Sequence, residues 1–317
     1  TVVMNLDLDF NVSNAAEVIR STKEAGGALL ILSGAGMSVA SGVPVFRNSD
    51  GSMSEEFLKF LGDYNAARAK HGLEEAPDWF QFSVPEMFDD RTAHEAWQYW
   101  RWRVIRAKVE PAQDYQRLMV LVEYFGEEKV FVRTSNCDML HETAGMSAQA
   151  VSEIHGSLGR LQCSTPCSRQ LYPADQEFVQ RLVAEPDWVP LCPQCQKACL
   201  RPNVMIFGDH ALVHDHLRQQ EERLDSFVNA FGQNLIVLEV GAGTVVPSIR
   251  YEAEQYSCLQ SQCMIRVNPS EEECSKMQSY GLNAQELFDS KKYIPLCAYS
   301  NNALTTLCMA LGIPPEV

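Results

Sequence analysis

Two short cysteine pairs, Cys163-x3-Cys167 and Cys192-x2-Cys195, put two thiolates on each of two turns, a pattern that can close around one tetrahedral Zn2+. Four thiolates leave no coordination position for water, so such a metal holds structure and takes no part in a reaction. Cys199, four residues beyond, is either an alternative ligand or a packing residue. His210, His214 and His216 have spacings that suit either a second metal or a solvated helix face, and no further ligands accompany them. A different chemistry lies at Gly34-Ala35-Gly36, which follows an apolar run. There the absence of bulky side chains lets backbone approach a pyrophosphate, and a following helix start supplies N–H groups to the anion. The same tripeptide also serves as a tight packing turn. His155, just before a glycine, taken alone reads as a satisfied core or surface residue, although an unperturbed imidazole, with a pKa of about 6.5, suits proton removal at neutral pH.

The elements that must position these groups are legible as continuous apolar runs at 26–33, 129–133, 235–240 and 263–267, separated by helix-like stretches. Runs of this kind are strands buried on both faces. They predict an α/β fold, a Rossmann-like parallel sheet with helices on both sides. A helix is expected to start near Met37, and His155 is expected at a strand end or turn facing the carboxyl edge of the sheet. The stretch 51–111, rich in charge and aromatics, reads as a helical insertion with helices near 54–70 and 92–109. The stretch 162–200, with its cysteines and prolines, reads as a small zinc-binding module. The Rossmann-like domain is then 1–50, 112–161 and 201–317.

Composition narrows the partners. The 317 residues carry 26 Lys+Arg against 41 Asp+Glu, a formal charge of −15, with 46% hydrophobic residues. That balance supports a folded core and repels phosphate backbones and anionic lipid, so neither nucleic acid nor membrane is expected as a partner. No run reaches the roughly 20 apolar residues of a bilayer crossing, and the first residues lack the basic and apolar regions of a signal peptide. A soluble intracellular protein is expected, with no compartment or oligomeric state implied.

The stretch Gly34-Ala35-Gly36-Met37-Ser38-Val39-Ala40-Ser41-Gly42-Val43-Pro44-Val45-Phe46-Arg47 resembles the first signature of the sirtuins, the NAD-dependent protein lysine deacylases, except that Val45 replaces an aspartate. Thr134-Ser135-Asn136-Cys137-Asp138, Glu153-Ile154-His155-Gly156-Ser157 and Arg201-Pro202-Asn203-Val204-Met205-Ile206-Phe207-Gly208-Asp209 are similar to later family motifs in the same order. The resemblance implies an NAD site built from Gly34, Ala35, Gly36, Ser38, Val43, Phe46, Arg47, Ser135, Asn136, Asp138, Gly241, Ala242, Gly243, Asn268 and Cys297. Within it Asn136 and Asp138 offer donors and acceptors to the nicotinamide carboxamide. It implies His155 and Asn136 as catalytic residues. The substrate acyl oxygen attacks the ribose carbon as nicotinamide leaves, and His155 then takes a proton so that a ribose hydroxyl attacks the resulting imidate. It also implies an acylated lysine peptide along Met205, Phe207, Gly208 and Asp209, and structural zinc on Cys163, Cys167, Cys192 and Cys195.

Two departures bear on the reaction. Val45 is close in shape to the threonine of the acidic-acyl sirtuin branch, and Ser135 stands where the family has glutamine. An NAD glycohydrolase or ADP-ribosyltransferase, or a weakly catalytic NAD or ADP-ribose sensor, are the alternatives on the same fold. Trp97-Gln98-Tyr99-Trp100-Arg101-Trp102-Arg103 resembles the acyl-carboxylate-gripping segment of that branch, with Trp100 and Arg103 as the pair. An amphipathic helix with buried aromatics and solvated arginines explains the same residues.

Overall fold

A computed structural model of the chain describes residues 4–45, 48, 51–70, 72, 74–75, 81–259, 263–279 and 281–314. Six strands, β1 (Ala28–Ser33), β2 (Val130–Thr134), β3 (Val151–Glu153), β7 (Leu235–Val240), β8 (Cys263–Val267) and β9 (Tyr293–Leu296), form one parallel sheet in the order β3-β2-β1-β7-β8-β9. The chain runs outward in one direction from β1 and in the other from β7, so the strand order reverses between these neighbours. In open α/β sheets the crevice beyond that reversal is where ligands bind.

Every residue of β1 is buried because helices cover both faces. Leu29 and Ile31 point into a core shared with the helices Leu8–Glu24, Gln113–Phe125 and Ser300–Ala310. Ala28, Leu30 and Leu32 point the other way, against the helices Asp215–Phe231 and Ser248–Leu259. The first helix starts where the Asp7 carboxylate accepts from Phe10 N at 2.8 Å, and it buries Val12, Ala15, Ala16 and Ile19 along one stripe.

A second, antiparallel sheet of β5 (Tyr172–Pro173), β4 (Gly156–Cys163) and β6 (Leu200–Val204) roots the cysteine-rich segment. The stretches 51–111 and 162–200, expected as separate units, share one aromatic core with this sheet. Phe57, Phe82, Phe88, Trp97, Tyr99 and Trp100 pack with Leu158, Leu161, Leu182 and Leu200. Trp97 Nε1 donates to Leu200 O at 2.8 Å, and Trp100 Nε1 to Phe82 O at 2.9 Å, so the helix Ala93–Arg106 is tied to β6 and to the turn before it.

Where a helix was expected near Met37, the chain forms a tighter 3-10 turn, Ala35–Ser41, ended by Gly42 at φ 82°. Strand β9 contains Pro295 and lies at the sheet edge, where a missing N–H costs little. Among the described residues no helix is long and apolar enough to cross a membrane.

Candidate functional site

The loops that leave β1 and β7 meet at the reversal point through their backbones. Gly36 N donates to Gly241 O at 2.9 Å, and Gly34 N to Val240 O at 3.0 Å. A Cβ on Gly34 would lie 2.7 Å from Gly241 O, and one on Gly241, at φ 64°, would lie 2.3 Å from Met37 N. The glycines are therefore required by loop against loop, with an open backbone floor at the crevice as the result. Ala242 and Asn268 join the floor from the β7 and β8 side, where Asn268 Nδ2 donates to Ala242 O at 3.2 Å and to Glu273 Oε2 at 2.7 Å. Cys297 is half-buried beyond β9, its thiol hydrogen-bonded to that of Cys274, which in turn reaches Asn268 O at 3.4 Å.

On the β2 side, Asn136 and Asp138 are buried and meet at Ser38. Asn136 Nδ2 donates to Gly34 O at 3.1 Å and to Ser38 Oγ at 2.9 Å, and Ser38 Oγ donates to Asp138 Oδ2 at 2.6 Å. Asp138 Oδ1 accepts from Leu140 N at 3.0 Å. Burial raises the Asp138 carboxyl above its ordinary value, with the Ser38 hydrogen bond opposing the shift. Both N–H groups of Asn136 are spent inside the protein. The pair therefore faces the crevice with oxygen acceptors, where the sequence suggested donors and acceptors together; a ligand that fits must bring its own N–H groups. Ser135 N is engaged with Ser33 O at 3.1 Å, and Val43 packs against the core beside the turn. Phe46 and Arg47, also expected here, lie outside the described residues.

His155 occupies the turn between β3 and β4, half-buried, and its carbonyl accepts from Met205 N at 2.8 Å. Burial lowers its imidazole below the ordinary value and the nearby Arg133 cation adds to this, with Glu252 opposing. The ring is thus neutral at pH 7, able to accept a proton. Arg133 is itself fixed by Glu252 at 2.7 Å, Glu221 at 2.6 Å and Ser152 Oγ at 2.6 Å.

The thiols of Cys163, Cys167, Cys192 and Cys195 lie within 4.8 Å of one another, with Cys163 to Cys195 at 3.9 Å and Cys167 to Cys192 at 3.6 Å. Four sulfurs at the zinc–thiolate bond length around a tetrahedral ion are about 3.8 Å apart, so these residues fit a structural Zn2+. Cys199 is buried elsewhere, its thiol against Phe88 O at 3.4 Å. His210, His214 and His216 join no metal-ligating cluster among the described residues, and His216 contacts Gln220 at 3.1 Å.

The family model described as the Sir2 family matches residues 34–238. The chain belongs to the Sir2 family. A Pyrococcus furiosus protein named NAD-dependent protein deacylase is 30% identical over 225 residues, covering 70% of this chain and 74% of that protein. A Pyrococcus abyssi protein of the same name is 30% identical over 62% of this chain and 66% of its own length. A Chromobacterium violaceum NAD-dependent protein deacetylase is 28% identical over 78% and 91%. Among solved structures, a Sir2 homolog–NAD complex superposes with a TM-score of 0.58 at 20% identity over 93% of both chains. A Sir2 homologue mutant with ADP ribose superposes at 0.55, with 22% identity.

In this Sir2 chain the segment after β6 is more divided than its motif suggests. Met205 and Phe207 are exposed, and Gly208 takes φ 69°. Phe207 N, however, already donates to Ser83 O at 2.9 Å. The Asp209 carboxylate turns inward to Arg201 at 2.5 Å, both side chains 1% exposed, so it supports the loop and does not face a peptide. Trp100 is likewise buried with its N–H spent, and cannot grip an acyl carboxylate. Arg103 is half-buried, held by Tyr99 Oη at 3.2 Å, and its charge acts on Asp138 and Cys137. Sequence spacing did not single out Tyr115, Ser33, Thr134 or His141. Yet Tyr115 Oη lies 2.8 Å from Ser38 Oγ, and Ser33 Oγ lies 2.7 Å from His141 Nε2 and 2.8 Å from Thr134 Oγ1.

Proposed function

We propose that this Sir2 chain is an NAD-dependent protein lysine deacylase whose reaction takes place between Asn136, Asp138 and His155 at the mouth of the β1/β7 crevice. The observation that carries this is the arrangement at the strand ends: the Asn136 amide and the Asp138 carboxylate both fixed on the Ser38 hydroxyl, with the His155 imidazole, its pKa lowered by burial, on the turn after β3. Family membership and the deacylase names of the Pyrococcus relatives support it.

NAD supplies a ribose carbon that can take the acyl oxygen, with nicotinamide as leaving group. The chain's own residues do the rest. The glycine loops leave room for the pyrophosphate against bare backbone. Asn136 Oδ1 and the Asp138 carboxylate accept from the carboxamide NH2. His155 takes a ribose hydroxyl proton on an imidazole nitrogen. Met205 and Phe207 flank the extended acyl-lysine peptide. Arg103, oriented by Tyr99, favours an acidic acyl group by a charge-assisted pair.

His155→Ala is expected to lower deacylation about 10²- to 10⁴-fold while nicotinamide release from NAD and an acyl-peptide persists. Product masses on acetyl- and succinyl-lysine peptides test the rest. O-acyl-ADP-ribose supports the proposal. Free ADP-ribose or ADP-ribosylated protein without deacylation refutes it.

A further inference from the structure

We propose that Tyr115 is a positioning residue for the carboxamide-recognising face of Asn136 and Asp138, acting through the Ser38 hydroxyl and through its own hydrogen bond with the Asn136 side chain. This rests on the proposed NAD-dependent function of the same crevice. The argument is a count of donors and acceptors. Ser38 Oγ has one proton and two lone pairs. Its proton goes to Asp138 Oδ2 at 2.6 Å, and one lone pair accepts from Asn136 Nδ2 at 2.9 Å. The contact of 2.8 Å to Tyr115 Oη must then be filled by the phenol proton, which leaves Ser38 fully used. Burial first, and the Asp138 charge second, hold the Tyr115 phenol well above its ordinary pKa, so it remains a donor throughout the working pH range.

The ring is fixed as well as the proton. Tyr115 lies in the first turn of the helix Gln113–Phe125, where the neighbouring Asp114 accepts from Ser300 Oγ at 2.7 Å, and its ring meets that of His141 edge to face with centroids 5.0 Å apart. With both lone pairs taken, the Ser38 proton can only point at Asp138, and the NH2 end of Asn136 can only point inward. That orientation turns Asn136 Oδ1 outward. Without the phenol proton, Ser38 regains a lone pair and a choice of rotamer, and the acceptor face of the pair is no longer unique.

The test separates the nicotinamide end of the ligand from the rest. Tyr115→Phe, Ser38→Ala and the double variant are compared with wild type for binding of NAD and of ADP-ribose by calorimetry, beside thermal melting. Tyr115→Phe is expected to weaken NAD about tenfold and ADP-ribose less than about twofold. Ser38→Ala should do the same, and the double variant should lose clearly less than the two single losses combined, since both act on Asn136. Equal losses for both ligands, no loss for either, or additive losses in the double variant would overturn the proposal. Wild type that binds NAD yet yields no nicotinamide with any acyl-peptide would sink the deacylase function while these binding ratios still decide the role of Tyr115. Wild type that binds no NAD defeats both.

Discussion

Where the ends of β1 and β2 face the crevice, Ser33, Thr134, Asn136, Ser38, Tyr115 and His141 form a buried hydrogen-bonded set of neutral groups that Asp138 joins through Ser38, while the Arg133 cation of β2 pairs with Glu221 and Glu252. Behind β7 and β8 the buried set is ionic. Arg266 makes two contacts to Glu239, at 2.7 and 2.8 Å, and one to Glu254 at 2.8 Å, all three side chains wholly buried. Arg250 closes the group onto Ala242 O and Glu273. The Glu254 carboxylate also accepts from Gln278 N and Ser279 N, so its remaining lone pairs are used. Charged pairs of this kind repay desolvation only when every partner is present, which makes that half intolerant of change but geometrically unique. Neutral groups can exchange partners with a ligand at small cost. The half assigned the carboxamide chemistry thus keeps oxygen acceptors that a ligand can engage without stranding a buried charge, and the ionic half fixes the loop that faces it.

The largest expected effect lies outside both halves and sets their scale. Removing zinc with a chelator should unfold the cysteine-rich segment rooted in β4 and β6, since structural Zn2+ contributes about 10 kcal/mol or more to small metal modules. Hydrogen exchange confined to 162–200 checks this, and unchanged protection there would argue against a structural metal. Arg266→Leu comes next. It leaves Glu239 and Glu254 buried without a cation and should cost about 3–5 kcal/mol in urea denaturation; a loss below about 1 kcal/mol would erase the contrast between the halves.

The smallest effect probes the neutral half by pH. Burial holds His141 at about 4 against an ordinary 6.5. Between those values only the unfolded chain takes up a proton, so its contribution is complete above about 6.5 and is lost as pH falls toward 4. The loss over that interval amounts to about 3 kcal/mol. In His141→Gln that pH dependence should shrink to what His216, also lowered to about 4, and His155, likewise lowered, contribute. An identical slope in the variant would show that the neutral network does not depend on this ring.

Much of the frame was legible because fully buried parallel strands leave continuous apolar runs, as β1, β2, β7 and β8 do. Strand β3, with three residues, and β9, with Pro295, leave no such trace. The zinc ligands could be read since each pair is local in the chain. The contact between Ser38 and Tyr115 spans 77 residues and carries no local signature. Helical periodicity told that Trp97 and Trp100 face a core, yet not that the core belongs jointly to both inserted segments. The inward turn of Asp209 depends on Arg201, a partner in the same motif whose side-chain direction spacing does not reveal.

The hydrogen bond from Gly36 N to Gly241 O joins a turn near the start of the chain to one more than 200 residues later. A fragment ending before β7 would therefore leave its glycine turn open to water, without the partner loop that sets its curvature. During synthesis the crevice can take shape only after both loops have emerged, so whatever it binds is bound late, and not by a form that still lacks the loop after β7.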